Sequence, residues 1–306
     1  MENLPNMGAD FHPVCSRKFF GSSTAPILPY SFDELHELAK NIVGRSIAVT
    51  GVQPKLSLAF EKNVQEGIFR LTLVGLWGNY ILKPPSVQFS ELVENEHLTM
   101  SLARIFGIET VPFSLIRLRS GELAYLTRRI DRNKAEKLAM EDFCQLSERL
   151  TEYKYRGSVE QIAKIIRRFS SNPGLDIAYF VEIVLFCFLT GNADMHLKNY
   201  SLLTLPDGEI RLAPAYDLVA TKLVMPSDLE ESALTINGKK NRLTLVDVTV
   251  FARNAKLPET VLNKILAKFE KKIPAAKQEI ERSWLSEKTK VAYSELLSER
   301  AGRMLQ

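Results

Sequence analysis

The chain of 306 residues is long enough for one large domain or two lobes, and its composition is ordinary for a soluble globular protein. The net charge of +4 is too small to indicate a protein that binds nucleic acid sequence-specifically, although it permits contact with acidic partners. Three scattered cysteines without a C-x-x-C pair argue against a zinc site and against a disulfide framework.

The first part of the chain predicts an irregular segment followed by a short helix. Residues 1–30 contain many Pro, Gly and Ser residues and little periodicity, and their polar start does not resemble a signal peptide. The stretch Ser31-Phe32-Asp33-Glu34 has the spacing of a capping box. The residues after it repeat at helical spacing on a single face: Leu35, Leu38, Ala39 and Ile42.

Residues 46–58 predict a strand, a glycine turn and a second strand. Gly51 at the turn would let backbone amides approach a phosphate closely, and Lys55 could add positive charge. A plain hairpin turn explains the same stretch equally well.

Residues 80–83 predict a strand that ends in a lysine, Lys83, ahead of a helix over residues 90–106 that stops at Gly107. A lysine in this position can place its ammonium on the α- and β-phosphates of a nucleotide. We expect Glu96 on the helix to position Lys83, with Glu94 as the alternative acid. A lysine at the surface end of a strand would show the same local pattern.

Two more strands, over residues 111–118 and 123–127, lead into Arg128, Arg129 and Ile130. The backbone of these three residues could hydrogen-bond an adenine ring, or their charges could form a solvated face. We place a lobe boundary at residue 131, with a β-rich lobe over residues 31–131 and a helical lobe over residues 132–306.

The second lobe predicts mainly helices and one hairpin. Helices are expected at residues 140–150, 158–169 and 176–190, near residue 247, after Pro258 and after Ser286, with a turn at residues 205–209. The run from Ile177 to Leu189 is apolar all round, which predicts a buried helix. Because the run contains Glu182 and is short, it argues against a membrane span and favours a cytoplasmic protein.

The loop after this helix carries the residues that suit phosphoryl transfer. Asp194 and Asn199 have the Asp-x-x-x-x-Asn spacing in which a carboxylate accepts the proton of a hydroxyl and an amide oxygen holds magnesium. Asp217 follows the predicted hairpin and would be the main metal carboxylate, since Mg²⁺ prefers one or two carboxylates together with phosphates. Taken alone, Asp194 and Asn199 could equally be turn or capping residues.

In this order the motifs resemble the HipA family of serine/threonine kinase toxins, and most closely its short HipT branch from three-part toxin–antitoxin systems. The resemblance runs from about residue 46 to at least residue 245. It depends on Gly51 to Lys55, Ile81 to Lys83, Glu94 to Glu96, Ile130 to Arg132, Glu141 to Gln145, Asp194 to Asn199, and Tyr216-Asp217.

The resemblance implies an α+β, two-lobed protein-kinase-like fold with a β-rich N-lobe and a mainly α-helical C-lobe. It implies that the N-terminal subdomain of full-length HipA is missing. By position, Asp194 would be the catalytic base and His196 would lie in the catalytic loop. The residues expected to contact ATP are Gly51, Val52, Gln53, Lys55, Lys83, Glu96, Arg128, Arg129, Ile130, His196, Lys198, Asn199 and Asp217. Of these, Asn199 and Asp217 would hold Mg²⁺.

The family also implies partners and a control mechanism. The expected partners are a small HipS-like antitoxin and a HipB-like helix-turn-helix protein, and the expected substrate is an aminoacyl-tRNA synthetase. The family's autophosphorylated serines have Ala48 and Thr50 in their places here, so we expect any self-phosphorylation at Thr50 or Ser46. Two other functions fit fewer of these blocks: a small-molecule kinase, and a non-catalytic regulator that binds nucleotide and a repressor.

Overall fold

The computed structural model describes residues 10–43, 55–63, 68–74, 78–133 and 136–305. The chain divides into two compact units, the first made of residues 1–97 and 111–130 and the second of residues 98–110 and 131–306. One change between the units falls at Ile130–Asp131. Residues 98–110 also belong to the second unit, whereas the sequence patterns predict only one boundary between lobes.

The first unit is built on a five-stranded antiparallel sheet with the strand order β2-β1-β3-β5-β4. Its strands are β1 (Leu56–Asn63), β2 (Ile68–Leu73), β3 (Tyr80–Lys83), β4 (Phe113–Arg117) and β5 (Leu123–Arg128). The central position of β3 follows from its pairing with β1 on one side and with β5 on the other. Lys83 at the end of β3 pairs with Tyr125 of β5, so its backbone is held on a rigid element.

Two helices precede this sheet, α1 (Pro13–Phe20) and α2 (Phe32–Val43). The prediction that residues 1–30 are irregular is wrong for α1, which starts with a proline at its first position and ends at Gly21 in the left-handed conformation. Phe19 and Phe20 are buried in the core of the unit, and their ring centroids lie 5.8 and 5.9 Å from that of Tyr80. A helix of 8 residues is too short to show clear periodicity, and tertiary burial of the two rings stabilises it.

The capping box predicted before α2 is confirmed. The Ser31 N–H donates to Glu34 Oε2 at 2.7 Å, and the Glu34 N–H donates to Ser31 Oγ at 3.4 Å. The next helix, α3 (Leu92–Ile105), also has the predicted stop, because Gly107 follows it with a φ of 81°. An L-amino acid with a side chain rarely adopts that conformation, so glycine ends the helix at low cost.

The second unit is mainly helical. After β6 (Arg132–Asn133), β7 (Glu136–Lys137) and β8 (Met140–Asp142) come α4 (Phe143–Leu146), α5 (Val159–Phe169), α6 (Pro173–Thr190), β9 (Ser201–Thr204), β10 (Ile210–Leu212), α7 (Thr221–Val224), α8 (Leu245–Asn254), α9 (Glu259–Glu281) and α10 (Glu287–Met304). The strands β8, β9 and β10 form one antiparallel sheet in the order β10-β9-β8, which includes the predicted hairpin at residues 205–209.

The helix predicted over residues 140–150 is wrong. Residues 140–142 form β8, and Asp142 then caps the short α4 through a capping box with Gln145. Glu148 follows with a φ of 54°, which ends any helix there. The pairing of β8 with β9, about sixty residues further along the chain, overrides the local helical pattern.

The core of the second unit surrounds α6. Twelve of its residues are buried, among them Phe180, Phe186 and Leu189. With 18 residues the helix is longer than the apolar run suggested, and it is the one described helix that is long and apolar enough to cross a membrane. Because 67% of that window is buried inside the protein, the helix has the character of a core helix.

Candidate active site

The loop that carries Asp194 begins at Gly191, which ends α6 in the left-handed conformation with a φ of 69°. The Gly191 N–H donates to the carbonyls of Cys187 and Phe188. Its own carbonyl accepts hydrogen bonds from Thr221 Oγ1 at 3.2 Å and from the Lys222 N–H at 3.0 Å. The buried helix and the start of α7 therefore fix the first residue of the loop.

Asp194 is held by hydrogen bonds at its main chain and at its carboxylate. Its N–H donates to Asn192 Oδ1 at 3.1 Å, and its carbonyl accepts from Asn199 Nδ2 at 2.9 Å. The Tyr155 hydroxyl donates to Asp194 Oδ1 at 2.5 Å. A carboxylate fixed in this way is oriented before a substrate arrives, which is the condition for efficient proton acceptance.

Tyr155 is a proton donor in this contact and stays protonated. The pKa of its hydroxyl is raised above the ordinary value for tyrosine, mainly by burial and secondly by the hydrogen bond to Asp194. Its ring also meets the ring of His196 edge-to-face, with the centroids 5.0 Å apart. Tyr155 lies thirty-nine residues before Asp194 in the chain, and the sequence carries no signal that would have linked the two.

His196 is buried and caps the short 3-10 helix Leu197–Asn199 by accepting the Lys198 N–H at its Nδ1, 3.3 Å away. Burial lowers the pKa of His196 to about 4, and the Asp194 carboxylate opposes that shift, as Asp217 does to a smaller extent. The imidazole is therefore neutral near pH 7.

The two residues expected to hold metal lie on neighbouring segments of the second unit. Asn199 is buried, and its Nδ2 bonds the Asp194 carbonyl, which leaves Oδ1 as the atom suited to a cation. The Tyr216 hydroxyl donates to the Lys198 carbonyl at 3.1 Å, so the residue before Asp217 is bonded directly to the residue before Asn199. Asp217 itself has a φ of 57°, a conformation that residues other than glycine adopt mainly where the surroundings require it.

Among the described residues, no group of three or more His, Cys, Asp or Glu side chains is placed to hold a metal ion. One carboxylate and one amide oxygen nevertheless suit Mg²⁺, which takes its other ligands from phosphates and water. The donor chemistry of Asp217 and Asn199 fits that ion and does not fit a structural zinc site.

Lys198 forms an ion pair with Asp142. Its Nζ lies 2.6 Å from Asp142 Oδ2, in an ion pair that joins the loop of Asp194 to the start of α4. Asp142 belongs to the block Glu141 to Gln145 that the sequence resemblance singles out, but no spacing rule assigns it this partner. The pair is half-buried, so it fixes the loop more than it contributes to stability.

The predicted pairing of Lys83 with Glu96 is confirmed in the first unit. The Lys83 Nζ lies 2.5 Å from Glu96 Oε1, and both side chains are buried. The ammonium also lies over the Tyr125 ring, 5.4 Å from its centroid. The same lysine–glutamate pair between strand β3 and the following helix is a required part of the protein-kinase apparatus.

The other predicted nucleotide contacts fall into two groups. Lys55 is exposed at the start of β1, whereas Gly51, Val52 and Gln53 lie outside the described residues, as do Ser46 and Thr50. In the predicted adenine-binding stretch, the Arg128 N–H donates to the Pro112 carbonyl and the Arg129 N–H donates to the Asn79 carbonyl. The third backbone N–H of that stretch belongs to Ile130.

Comparison with known proteins decides the family. The family model described as the HipA-like C-terminal domain matches residues 47–277, well over half of the chain. The chain belongs to the HipA family.

Two relatives show the extent of the HipA-like match. A candidate kinase of Sinorhizobium fredii is 34% identical over 186 residues, which are 57% of this chain and 45% of that protein. The serine/threonine-protein kinase toxin HipA of Shewanella oneidensis is 28% identical over 257 residues, which are 76% of this chain and 57% of that protein. The chain thus spans about half the length of the curated relatives that it matches.

Solved structures confirm the predicted HipA-like kinase fold, with a β-rich part and a mainly helical part. The Shewanella oneidensis complex of HipA, HipB and operator DNA matches with a TM-score of 0.69 at 23% identity, over 84% of this chain and 65% of that one. The Helicobacter pylori proinflammatory kinase CtkA matches with a TM-score of 0.55 at 16% identity, over 77% of this chain and 88% of that one.

Proposed function

We propose that this HipA-family protein is a serine/threonine protein kinase that transfers the γ-phosphate of ATP to a protein hydroxyl. The proposal rests on a group of residues in the second unit that hydrogen bonds hold together. Asp194, His196 and Asn199 lie on one loop, and the Tyr216 hydroxyl connects that loop to the segment of Asp217. A regulator without catalytic activity has no need to keep all of these groups.

Asp194 is the catalytic base in this proposal. Its carboxylate accepts the proton of a serine or threonine hydroxyl while that oxygen bonds to the γ-phosphorus, and the bond from the γ-phosphorus to the β-phosphate oxygen breaks to release ADP. Tyr155 holds Asp194 Oδ1, so the carboxylate keeps one orientation during the transfer. His196 is neutral and buried, and it supports the loop through its cap on Lys198.

Asp217 and the Asn199 Oδ1 would hold Mg²⁺, which when bound neutralises charge on the phosphates. Lys83 contacts the α- and β-phosphates, with Glu96 keeping its ammonium in place. The backbone near Ile130 meets adenine, and Gly51, Val52, Gln53 and Lys55 belong to the phosphate loop.

The biological setting is proposed from the family. A HipA relative is named as a kinase toxin, and a solved relative is a complex with HipB and operator DNA. We infer a cytoplasmic toxin of the short HipT branch that has a HipB-like helix-turn-helix partner and a small HipS-like antitoxin. Its substrate is an aminoacyl-tRNA synthetase, and it phosphorylates itself at Thr50 or Ser46.

The test is transfer of labelled phosphate from ATP with magnesium to a panel of purified aminoacyl-tRNA synthetases. We expect label on one synthetase, and a loss of roughly 10²–10⁴-fold in rate for Asp194→Asn, because the base is removed while the shape is kept. The matched control is Asp207→Asn, the same change at an exposed carboxylate in the turn of the β9–β10 hairpin, which should keep full activity.

The result also separates the competing functions. ATP binding without label on any protein would favour a regulator, and label on a small molecule alone would favour a small-molecule kinase. Equal transfer by Asp194→Asn and by the unchanged protein would remove Asp194 from the mechanism. Mass spectrometry after incubation with ATP alone tests self-phosphorylation, which fails if Thr50 and Ser46 stay unmodified.

A further inference from the structure

An open cavity of about 490 Å³ lies in the second unit, beside the segment that carries Tyr155. Its lining includes two arginines, Arg149 and Arg156, and no acidic residue is among the described residues that line it. The other polar groups there come from side chains such as Gln161 and Ser158. A cavity of this size with positive charge and hydrogen-bond donors suits an anionic group.

The guanidinium of Arg149 is only partly satisfied within the protein. Its Nη2 donates to Gln161 Oε1 at 3.3 Å. Its Nη1 is shielded from solvent and finds no hydrogen-bond acceptor among the described residues. The Arg149 side chain is half-buried, and its positive charge lines the cavity without a carboxylate among the described lining residues.

Arg156 supplies a second, exposed guanidinium at the same cavity. Its central carbon lies 4.6 Å from the centroid of the Tyr153 ring. Stacking on an aromatic ring limits the freedom of the guanidinium plane, so less entropy is lost when it binds a planar carboxylate or a phosphate.

The cavity is close to the catalytic loop. A Cβ atom at Gly157 would lie 3.4 Å from Arg149 Nη1 and 3.4 Å from Leu197 Cδ2, so an arginine of the cavity and a residue of the loop both lie near this glycine. The Lys154 carbonyl accepts the Leu197 N–H at 3.1 Å, and the next residue, Tyr155, donates to Asp194. A peptide whose hydroxyl reaches Asp194 would therefore pass near the two arginines.

We propose that this cavity binds an acidic group of the protein substrate, close in sequence to the hydroxyl that is phosphorylated. The group is a carboxylate of Asp or Glu or the phosphate of an already modified residue, which share the anionic oxygens that guanidinium recognises. The inference rests on the proposed kinase function and adds to it a rule for substrate choice.

The first experiment measures binding without catalysis. Protein labelled with ¹⁵N in its arginines is titrated with N-acetyl-phosphoserine amide, with N-acetyl-glutamate amide and with neutral N-acetyl-serine amide, and the side-chain Nε–H signals are followed. We expect saturable shifts at Arg149 and Arg156 with at least one anionic probe and none with the neutral one. The internal control is Arg168, an exposed arginine near the end of α5 whose guanidinium lies over Phe169.

The second experiment measures substrate choice. Serine peptides carry Glu, phosphoserine or neutral Gln at each position around the acceptor, and kcat/KM is compared for transfer from labelled ATP. We expect an acidic residue at one position to raise kcat/KM roughly tenfold, the effect of one charge-assisted hydrogen bond. The preference should disappear in Arg149→Gln and persist in Arg168→Gln.

Each result decides one point. Shifts with the phosphate probe alone or with the glutamate probe alone identify the source of the anion. Arginine signals that move no more than that of Arg168, or an acidic preference that survives Arg149→Gln, would overturn the site. Clear shifts without transfer to any protein or peptide would leave the anion site standing and count against the kinase function.

Discussion

Replacing Gly191 by alanine tests whether the end of α6 sets the position of the loop that carries Asp194. Gly191 has a φ of 69°, and an added Cβ would lie 2.7 Å from Leu296 Cδ2 and 3.0 Å from Lys222 Cβ. The first neighbour is the end of a flexible side chain that can move, whereas the second is next to the backbone of α7 and cannot move without it.

The expected cost has two parts. Holding alanine in the left-handed conformation costs about 1–2 kcal/mol, and forcing a methyl group into a packed site costs about 1–3 kcal/mol more. The free energy of unfolding should therefore fall by about 2–5 kcal/mol. In a unit of this size each kcal/mol lowers the melting temperature by roughly 2–4 °C, so we expect a decrease of roughly 5–15 °C.

Thermal unfolding followed by circular dichroism at the helical band measures this loss, and labelled phosphate transfer at 25 °C measures the effect on the loop. The matched control is Gly302→Ala in α10, an exposed position where an added Cβ meets nothing within 4 Å. That change should leave the melting temperature equal or slightly higher, because alanine restricts the unfolded chain.

An equal melting temperature for Gly191→Ala and the unchanged protein would refute this reasoning. It would mean that the end of α6 relaxes around the new methyl group without cost. Normal stability together with lost activity would also contradict it, since strain and loop displacement are expected together.

Three further predictions concern side chains of the site. Tyr155→Phe keeps the ring contact with His196 but loses the hydrogen bond to Asp194, so phosphate transfer should fall roughly tenfold; faster transfer would mean that the hydroxyl obstructs the acceptor. Glu96→Gln removes the carboxylate that faces a buried ammonium, so the free energy of unfolding measured in urea should fall by roughly 3–5 kcal/mol. The double change Lys83→Met with Glu96→Leu should restore the stability but not the activity. Because burial lowers the pKa of His196 to about 4, only the unfolded chain takes up this proton between about pH 6.5 and 4, so stability should fall by up to about 3 kcal/mol as the pH drops through that window. Urea midpoints at pH 7 and pH 4.5 should show a smaller decrease for His196→Asn, and an unchanged decrease would contradict the burial argument.

Local patterns were sufficient for much of the fold. Helices α5 and α6, the β9–β10 hairpin and the capping box at Ser31 depend on residues a few positions apart, and each lies where the spacing predicts it. The pairing of Lys83 with Glu96 was also predictable, because the first helix after the strand leaves few acids within reach of the lysine.

The failures occur where distant contacts outweigh local preference. Residues 140–150 have a helical pattern, but β8 pairs with β9, and α1 forms where its two phenylalanines are buried. Such pairings lie outside any short window of sequence.

The sequence by itself determined the family and the spacing of Asp194 and Asn199 on a loop after a buried helix. Only the tertiary structure brought Tyr155 to Asp194, Asp142 to Lys198 and Tyr216 to the Lys198 carbonyl. These partners are 39, 56 and 18 residues apart, so the packing of whole elements decides their contacts, whereas periodicity and capping report only on near neighbours.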